Sequence, residues 1–352
     1  MLRPGVTPDM PSFDTLRVGA IIEERNGLQR IRLDDDSRAY VLTQLTGPVA
    51  VGDDVVINTT AVRLGLGTGG WHVVHWNLSQ REWVEPGPGH IIKLRYTSLQ
   101  VDTGAGEEQH AGIAADLAGA PVVVCSLHSQ VAGVMAAAKA VRPEASIGYV
   151  MTDGAALPIV LSDLVVGLRD AGLLHGTVTA GHAFGGDLEA VNVPSALTVA
   201  RQVLGCDIIV VAMGPGVVGT GSPLGTTALE VAPALDAAAW LGGEPVICAR
   251  ISSADARERH RGISHHTITN LAAVRSSVHV PLPRGWSLPA ETRRHHVKTL
   301  DPPDVGELLD RLDLRVTTMG RDAAQEPDFF AACGAAGVLA ADLAQRAAER
   351  TS

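Results

Sequence analysis

A chain of 352 residues that is 46% hydrophobic and 19% charged is long enough to bury the cores of more than one domain, and its composition excludes intrinsic disorder. A formal net charge of -10 leaves no global basic field for a nucleic-acid backbone or an anionic membrane, and 3% aromatic residues give few stacking platforms for bases. No nucleic-acid or membrane partner is therefore expected, although the balance still permits a local basic site.

The opening stretch "MLRPGVTPDMPSFDTL" has no apolar run of the kind that makes a signal peptide, and no uninterrupted apolar stretch approaches ~20 residues, so a soluble, cytoplasmic protein is expected. From about Arg17 to Trp76, short alternating runs such as "RVGAIIEE", "LQRIRL", "AYVLTQL" and "DDVVINTTAV" are separated by Gly, Asn and Asp. They predict a small antiparallel barrel of a kind shared by many OB-like and SH3-like folds. Pro86, Gly87, Pro88 and Gly89 mark a connector, which divides the chain into a β-rich, barrel-like domain over residues 1–95 and an α/β, Rossmann-like domain over 96–352.

Beyond the connector the period changes. "PVVVCSLH", "SIGYVMT", "GTVTAGH", "CDIIVVAMG", "EPVICARI", "VHVPLP" and "LRVTTMG" read as buried parallel strands. The Ala- and Leu-rich segments between them, several ending in Gly, read as helices, which predicts a doubly wound, mostly parallel sheet. A last Ala-rich helix at about 328–349 is expected to pack on its outside. Cys125, Cys206, Cys248 and Cys333 lie far apart in apolar contexts, as buried free thiols do.

In an open parallel sheet, ligands bind beyond the carboxyl ends of the strands. The unusual polar residues of this domain fall there: His128 after the first expected strand, Asp153 after the second, His182, Asp187, Glu189 and Asn192 after the third. "GPGVVG" and Thr220 follow the fourth, and Arg250 and "RERHRGISHHT" follow the fifth. The glycine loop matches the G-x-G-x-x-G spacing through Gly214, Gly216 and Gly219, which offers backbone amides to a phosphate or carboxylate. Its alternatives are a nicotinamide site, with Arg250, Ser252 and Ser253 on a ribose 2′-phosphate, and a tight structural turn.

Asp187 and Glu189 share one side of an extended segment and, with His182 and His266, make a candidate shell for a divalent metal. In a helical segment they would instead cap and line its first turn. Ser264 reads as an N-cap that sets His265 and His266 at a positive helix end, where imidazole pKa falls. Adjacent helical positions diverge by about 100°, so one of the two is expected to face the site. Arg257, Arg259 and Arg261 alternate with Glu258 and His260, and an extended loop would present the three guanidiniums together to a phosphate or carboxylate. An ion-paired surface loop is the alternative, and "RRHHVK", Arg293–Lys298, reads as a surface turn or interface.

Taken together, "KLRYTSLQ", "SLHSQ", "TDGAALP", "GHAFGGDLEAVNV", "GPGVVGTG" and "RISSADARERHRGISHHT" resemble an uncharacterised bacterial group, domain-of-unknown-function family 3866, over most of the chain. The resemblance implies one long unit with a recurring site and carries no activity or catalytic residue. The residues themselves lead to an enzyme acting on a small anionic, phosphorylated or nucleotide-like metabolite by hydrolysis or group transfer. His182, Asp187, Glu189, His265 and His266 would be its acid/base groups or metal ligands, and a divalent metal is the candidate cofactor. An NAD(P)-dependent oxidoreductase and a ligand-sensing or scaffold protein without turnover are the alternatives. A homodimer is expected only from the general frequency of pairing.

Overall fold

The computed structural model describes residues 11–292 and 294–351. Residues 1–10, most of the opening stretch, and Arg293 of the "RRHHVK" segment lie outside the described residues. The chain divides into two compact units, with the break between Thr103 and Gly104.

The first unit is a closed five-stranded barrel. Strands β1 (Phe13–Arg25), β2 (Leu28–Leu33), β3 (Arg38–Leu42), β4 (Asp54–Asn58) and β5 (Trp71–Asn77) follow the order β1-β2-β3-β5-β4. Closure depends on β1, which pairs with β4 through its first half and with β2 through its second, with register shifts near Val18 and Ile21. Such shifts bend a strand and increase its twist. The alternation in the sequence turns Val18, Ile31, Leu33, Ala39, Val41, Val55, Ile57 and Val74 inward. One pair, β3 with β5, is parallel, where an entirely antiparallel barrel was expected. Two short helices, α1 (Thr43–Thr46) and α2 (Thr60–Arg63), connect strands of the barrel, and β6 (Ile92–Lys93) pairs with β7 (Val101–Asp102) in the connector.

The second unit begins with α3 (Gly106–Gln109) and is built on eight parallel strands. These are β8 (Pro121–Cys125), β9 (Ile147–Thr152), β10 (Gly176–Ala180), β11 (Leu188–Ala190), β12 (Ile208–Met213), β13 (Glu244–Cys248), β16 (His279–Pro283) and β17 (His296–Leu300). Their order is β11-β10-β9-β12-β8-β13-β16-β17. The short strands β14 (Ile251–Ser252) and β15 (Gly262–Ile263) form a separate antiparallel pair.

The strands are apolar on both faces, so each side needs a helical cover. Val123 and Cys125 of β8 point into one core with α4 (Gln130–Val141), α5 (Asp163–Asp170), α9 (Val305–Arg311) and α10 (Pro327–Thr351). Val122 and Val124 point into the other, with α6 (Val193–Gln202), α7 (Val231–Trp240) and α8 (His265–Ala273). The sheet is doubly wound.

Helix α10 is a core layer, not the outer helix expected. Phe329, Phe330, Cys333, Ala336 and Leu339 are buried against the sheet and α4. Glycines permit the approach: a Cβ on Gly337 would stand 2.2 Å from the Val134 carbonyl oxygen. Among the described residues, Pro327–Arg350 is the one helix long and apolar enough to cross a membrane by length and composition, and 72% of that window is buried within the protein.

Two strand expectations fail. "LRVTTMG" is irregular with a lone bridge between Thr318 and Arg321, and Asp313 and Met319 take left-handed φ of 53° and 51°, which interrupts extended pairing. The last strand, β17, comes instead from the segment read as a surface turn. As an edge strand it pairs on one side only, so it needs no continuous apolar run. All four cysteines are free and buried.

The winding places the site. The chain leaves β8 and β9 through α4 and α5 on one face, and leaves β12 and β13 through α7 and α8 on the other. Because these strands lie side by side as β9-β12-β8-β13, successive neighbours depart to opposite faces. By the general rule for open parallel sheets, the crevice for a ligand falls between such connections at the carboxyl ends.

Candidate functional site

The histidines of the "RHRGISHH" stretch form one packed group. The β14–β15 pair closes the loop between them, with Ile251 opposite Ile263 and Ser252 opposite Gly262, so His260 returns to the start of α8. Ser264 is the N-cap: its Oγ accepts from the His266 amide at 3.3 Å and lies 2.8 Å from His260 Nδ1, while its own amide donates to the Arg250 carbonyl. Ring centroids are 4.9 Å apart for His260–His265 and His260–His266, and 4.3 Å for His265–His266. The expectation that one of the two adjacent histidines would turn away is corrected. Helical Cα–Cβ bonds tilt toward the N-terminus, so both first-turn rings lean past the helix end and meet His260.

Burial, followed by Arg250 and Arg257, brings the His260 pKa down to about 3. Burial, followed by His265 and nearby arginines, brings His266 down to about 4, and burial with Arg259 lowers His265. All three are neutral imidazoles at physiological pH. His265 Nε2 and His266 Nδ1 are buried without a hydrogen-bond partner. Among the described residues these three form the one group of His, Cys, Asp or Glu donors whose ligand atoms all lie within 4.8 Å of one another.

The arginines do not share one side. Glu258–His260 is a 3-10 turn, which rotates successive side chains apart. Arg257 grips buried Asp255 through Nε at 3.0 Å and Nη2 at 2.8 Å, and Arg250 Nη2 reaches the same carboxylate at 3.3 Å. The Arg257 hydrogen bond holds Asp255 well below the usual carboxylate range. Arg321 and the Ser252 hydroxyl both donate to buried Glu326. Arg250 is thus buried in an ion-pair network, its pKa brought down to about 10 by burial, and is not placed for a ribose phosphate. Arg261 is exposed, with Nη2 3.5 Å from the Asp255 carbonyl.

Arg259 is exposed and lies outside this ion-pair network: its Cζ is 3.8 Å from where a Cβ on Gly221 of the glycine loop would stand, and its charge is among those that lower the His265 and His266 pKa. That loop is a hairpin. Gly219 bridges Thr226, the Thr220 amide donates to the Gly225 carbonyl, and the Val218 amide donates to Thr227 Oγ1. Thr220 Oγ1 lies 3.2 Å from Ser222 Oγ. Gly216 turns with φ 101°, and Gly214 allows β12 to run beside the next loop, since a Cβ there would meet the Ala156 carbonyl oxygen at 2.4 Å.

On the β9 side of the crevice, His128 Nδ1 is 3.0 Å from the Tyr149 hydroxyl and Nε2 is 2.7 Å from Ser162 Oγ. Tyr149 donates on to the Ala212 and Met213 carbonyls, and burial brings the His128 pKa down to about 4. Asp153 accepts from the His182 amide at 2.9 Å. Glu230, just before α7, accepts from the Thr152 hydroxyl, and burial brings its carboxyl up to about 7 against the effect of that hydrogen bond. Gly154 and Gly181 make room for these acids: a Cβ would stand 2.3 Å from Glu230 Oε2 and 2.2 Å from Asp153 Oδ2.

The expected metal shell of His182, Asp187, Glu189 and His266 is not assembled. Glu189 lies in the short edge strand β11 and Asp187 immediately precedes it, yet Asp187 is bonded by Arg169 and Thr177, and Glu189 by Thr179 and the Gly185 amide. Strand β13, which feeds His266, is five spacings from β11, about 24 Å at ~4.8 Å per strand. Asn192 caps α6 by accepting from the Ser195 amide. Sequence reading missed Asp255, Glu326 and Glu230. The first two sit in polar loops without a motif, and the signal for Glu230 is an acid in the apolar run "TTALEVAPAL".

Fold and site together define an α/β protein with a histidine group at the carboxyl edge of a parallel sheet. The chain belongs to the family described as "Protein of unknown function (DUF3866)", whose model matches residues 38–337. No curated protein matches the sequence.

Proposed function

We propose that the α/β unit is an enzyme acting on a small anionic metabolite, phosphorylated or nucleotide-like, by hydrolysis or group transfer. The observation that supports this most is the packing of three neutral imidazoles, two with buried ring nitrogens lacking partners, in the same loop as Arg259, which reaches the hairpin after β12. A guanidinium fork suits a phosphate or carboxylate. A neutral imidazole takes the proton of an attacking water or hydroxyl as the new bond to phosphorus or carbon forms, and returns it to the oxygen that leaves.

The nicotinamide reading has less support. The amides of Val218 and Thr220 are occupied within the hairpin, and β12 lies between β8 and β9, which are neighbours in the dinucleotide fold. A panel of phosphate monoesters, nucleotides and their neutral parents, tested by thermal shift and then for product, checks the proposal. Stabilisation by the anions with turnover is expected, and Arg259→Ala should weaken it about tenfold, the loss of one charged hydrogen bond. Binding without turnover would favour a sensor, and indifference to every anion would remove the proposal.

A further inference from the structure

The three imidazoles are arranged for more than proton transfer. Buried polar atoms in folded proteins have hydrogen-bond partners, and the exceptions require a cause. Here His265 Nε2 and His266 Nδ1 are two such exceptions in adjacent residues, and His266 is 7% exposed. His260, 2% exposed, has its Nδ1 directed at Ser264 Oγ, so Nε2 is its remaining donor. A lone pair on each ring is thereby accounted for by one acceptor of all three.

We infer that His260, His265 and His266 form a mononuclear site for a first-row transition ion of the zinc class, whose open position takes an oxyanion also held by Arg259. A tetrahedral ion with ~2.0 Å bonds needs its nitrogens about 3.3 Å apart. Donor atoms of the three rings already lie within 4.8 Å of one another, so each pair has at most about 1.5 Å to close on a bound ion. Imidazole ligands without a carboxylate select zinc, cobalt, nickel or copper over magnesium and calcium, which take oxygen. Three protein ligands with a fourth position open is the arrangement of catalytic zinc sites. Ser264 supplies what such sites need behind the ligands: with His260 in the tautomer that donates its Nδ1–H to Ser264 Oγ, Nε2 is the coordinating atom, and Ser264 is itself held by the helix cap and the Arg250 carbonyl.

The surroundings specify the fourth ligand. Arg250, Arg257 and Arg321 face two carboxylates, Asp255 and Glu326, and Arg259 makes no ion pair among the described residues. A bare dication beside these guanidiniums is repelled, whereas an oxyanion between ion and Arg259 offsets both charges. Ion and anion therefore bind cooperatively, and linkage requires each to tighten the other by the same factor.

This site deepens the function proposed above and rests on it only for the use made of the ion: a bound ion would occupy the three imidazole lone pairs, so activation of the attacking water would pass from a free imidazole to the ion. The test is metal binding by the full chain, with Zn²⁺ measured by competition against a chromophoric chelator and Co²⁺ by its four-coordinate visible bands, with and without inorganic phosphate. One ion per chain is expected, lost in His265→Ala and His266→Ala and kept in His182→Ala. Each variant's thermal melt without metal shows that it has folded, and partly exposed His265 is the safer of the two. Phosphate should tighten the ion about tenfold, within the usual range of coupling, and should lose that effect in Arg259→Ala. No bound Zn²⁺ or Co²⁺, or binding that survives loss of His265 and His266, overturns the site. Metal binding indifferent to phosphate overturns the anion half. A loaded site without turnover on any anion leaves the metal centre standing and removes the enzymatic reading instead.

Discussion

Glu230→Gln is the sharpest probe of the crevice. Burial raises the Glu230 carboxyl from 4.5 to about 7, while the Thr152 hydroxyl works in the opposite direction. At acid pH the group is protonated in folded and unfolded chains alike and contributes no difference. As pH rises past 4.5 the unfolded chain releases the proton and the folded chain retains it, so stability falls until the folded group ionises near pH 7. A shift of about 2.5 units corresponds to about 3 kcal/mol lost by the native protein above that window. Glutamine stays neutral throughout and still accepts from Thr152. In urea denaturation followed by circular dichroism, the variant should match wild type at about pH 4.5 and exceed it by up to about 3 kcal/mol at about pH 8.5. Equal stability at the higher pH, or a constant offset at both, would refute the account of a carboxyl held neutral by burial.

Three further outcomes follow from the same geometry. Asp255→Asn leaves Arg250 buried without its counter-ion, so it should cost about 3–5 kcal/mol at neutral pH, measured by denaturant melts. Since the Asp255 pKa is depressed, that difference should shrink as pH falls through the acid range, and a loss under 1 kcal/mol would contradict the network. Tyr149→Phe removes the hydroxyl between His128 and two carbonyls and should cost about 1–3 kcal/mol; a neutral result would mean that water replaces it. Gly214→Ala drives a Cβ onto the Ala156 carbonyl and should destabilise by about 1–3 kcal/mol, whereas a rise in melting temperature would show that the loop yields freely.

Legibility in the sequence followed physical rules. Strands buried on both faces, such as "PVVVC" and "IIVVAM", announce themselves because every side chain is apolar. Strand β17 has one neighbour and a polar pattern, so "HVKTL" carries no such mark. Helix α10 was visible as a helix, but its place under the sheet depends on glycines meeting α4, which local pattern does not encode. At the site, Ser264 as cap was readable from position alone. The convergence of His265 with His266, the 3-10 turn that parts the arginines and the burial of Arg250 by Asp255 were not, because each depends on where a loop returns in space. The distance between Asp187 and His266 is a matter of strand order, which spacing in the chain cannot supply.

That strand order also bears on how the molecule assembles. β8 is the earliest strand of the sheet, yet its partners are β12, through Val122 and Ile209, and β13, through Pro121 and Glu244. A growing chain can zip β9, β10 and β11 together while β8 waits with both hydrogen-bonding edges bare. Closing such distant pairs makes folding slow, and an apolar "PVVVC" left waiting is a place where two nascent copies can join. The strand that ends at the centre of the crevice is therefore also the one whose placement joins β9–β12 on one side to β13, β16 and β17 on the other.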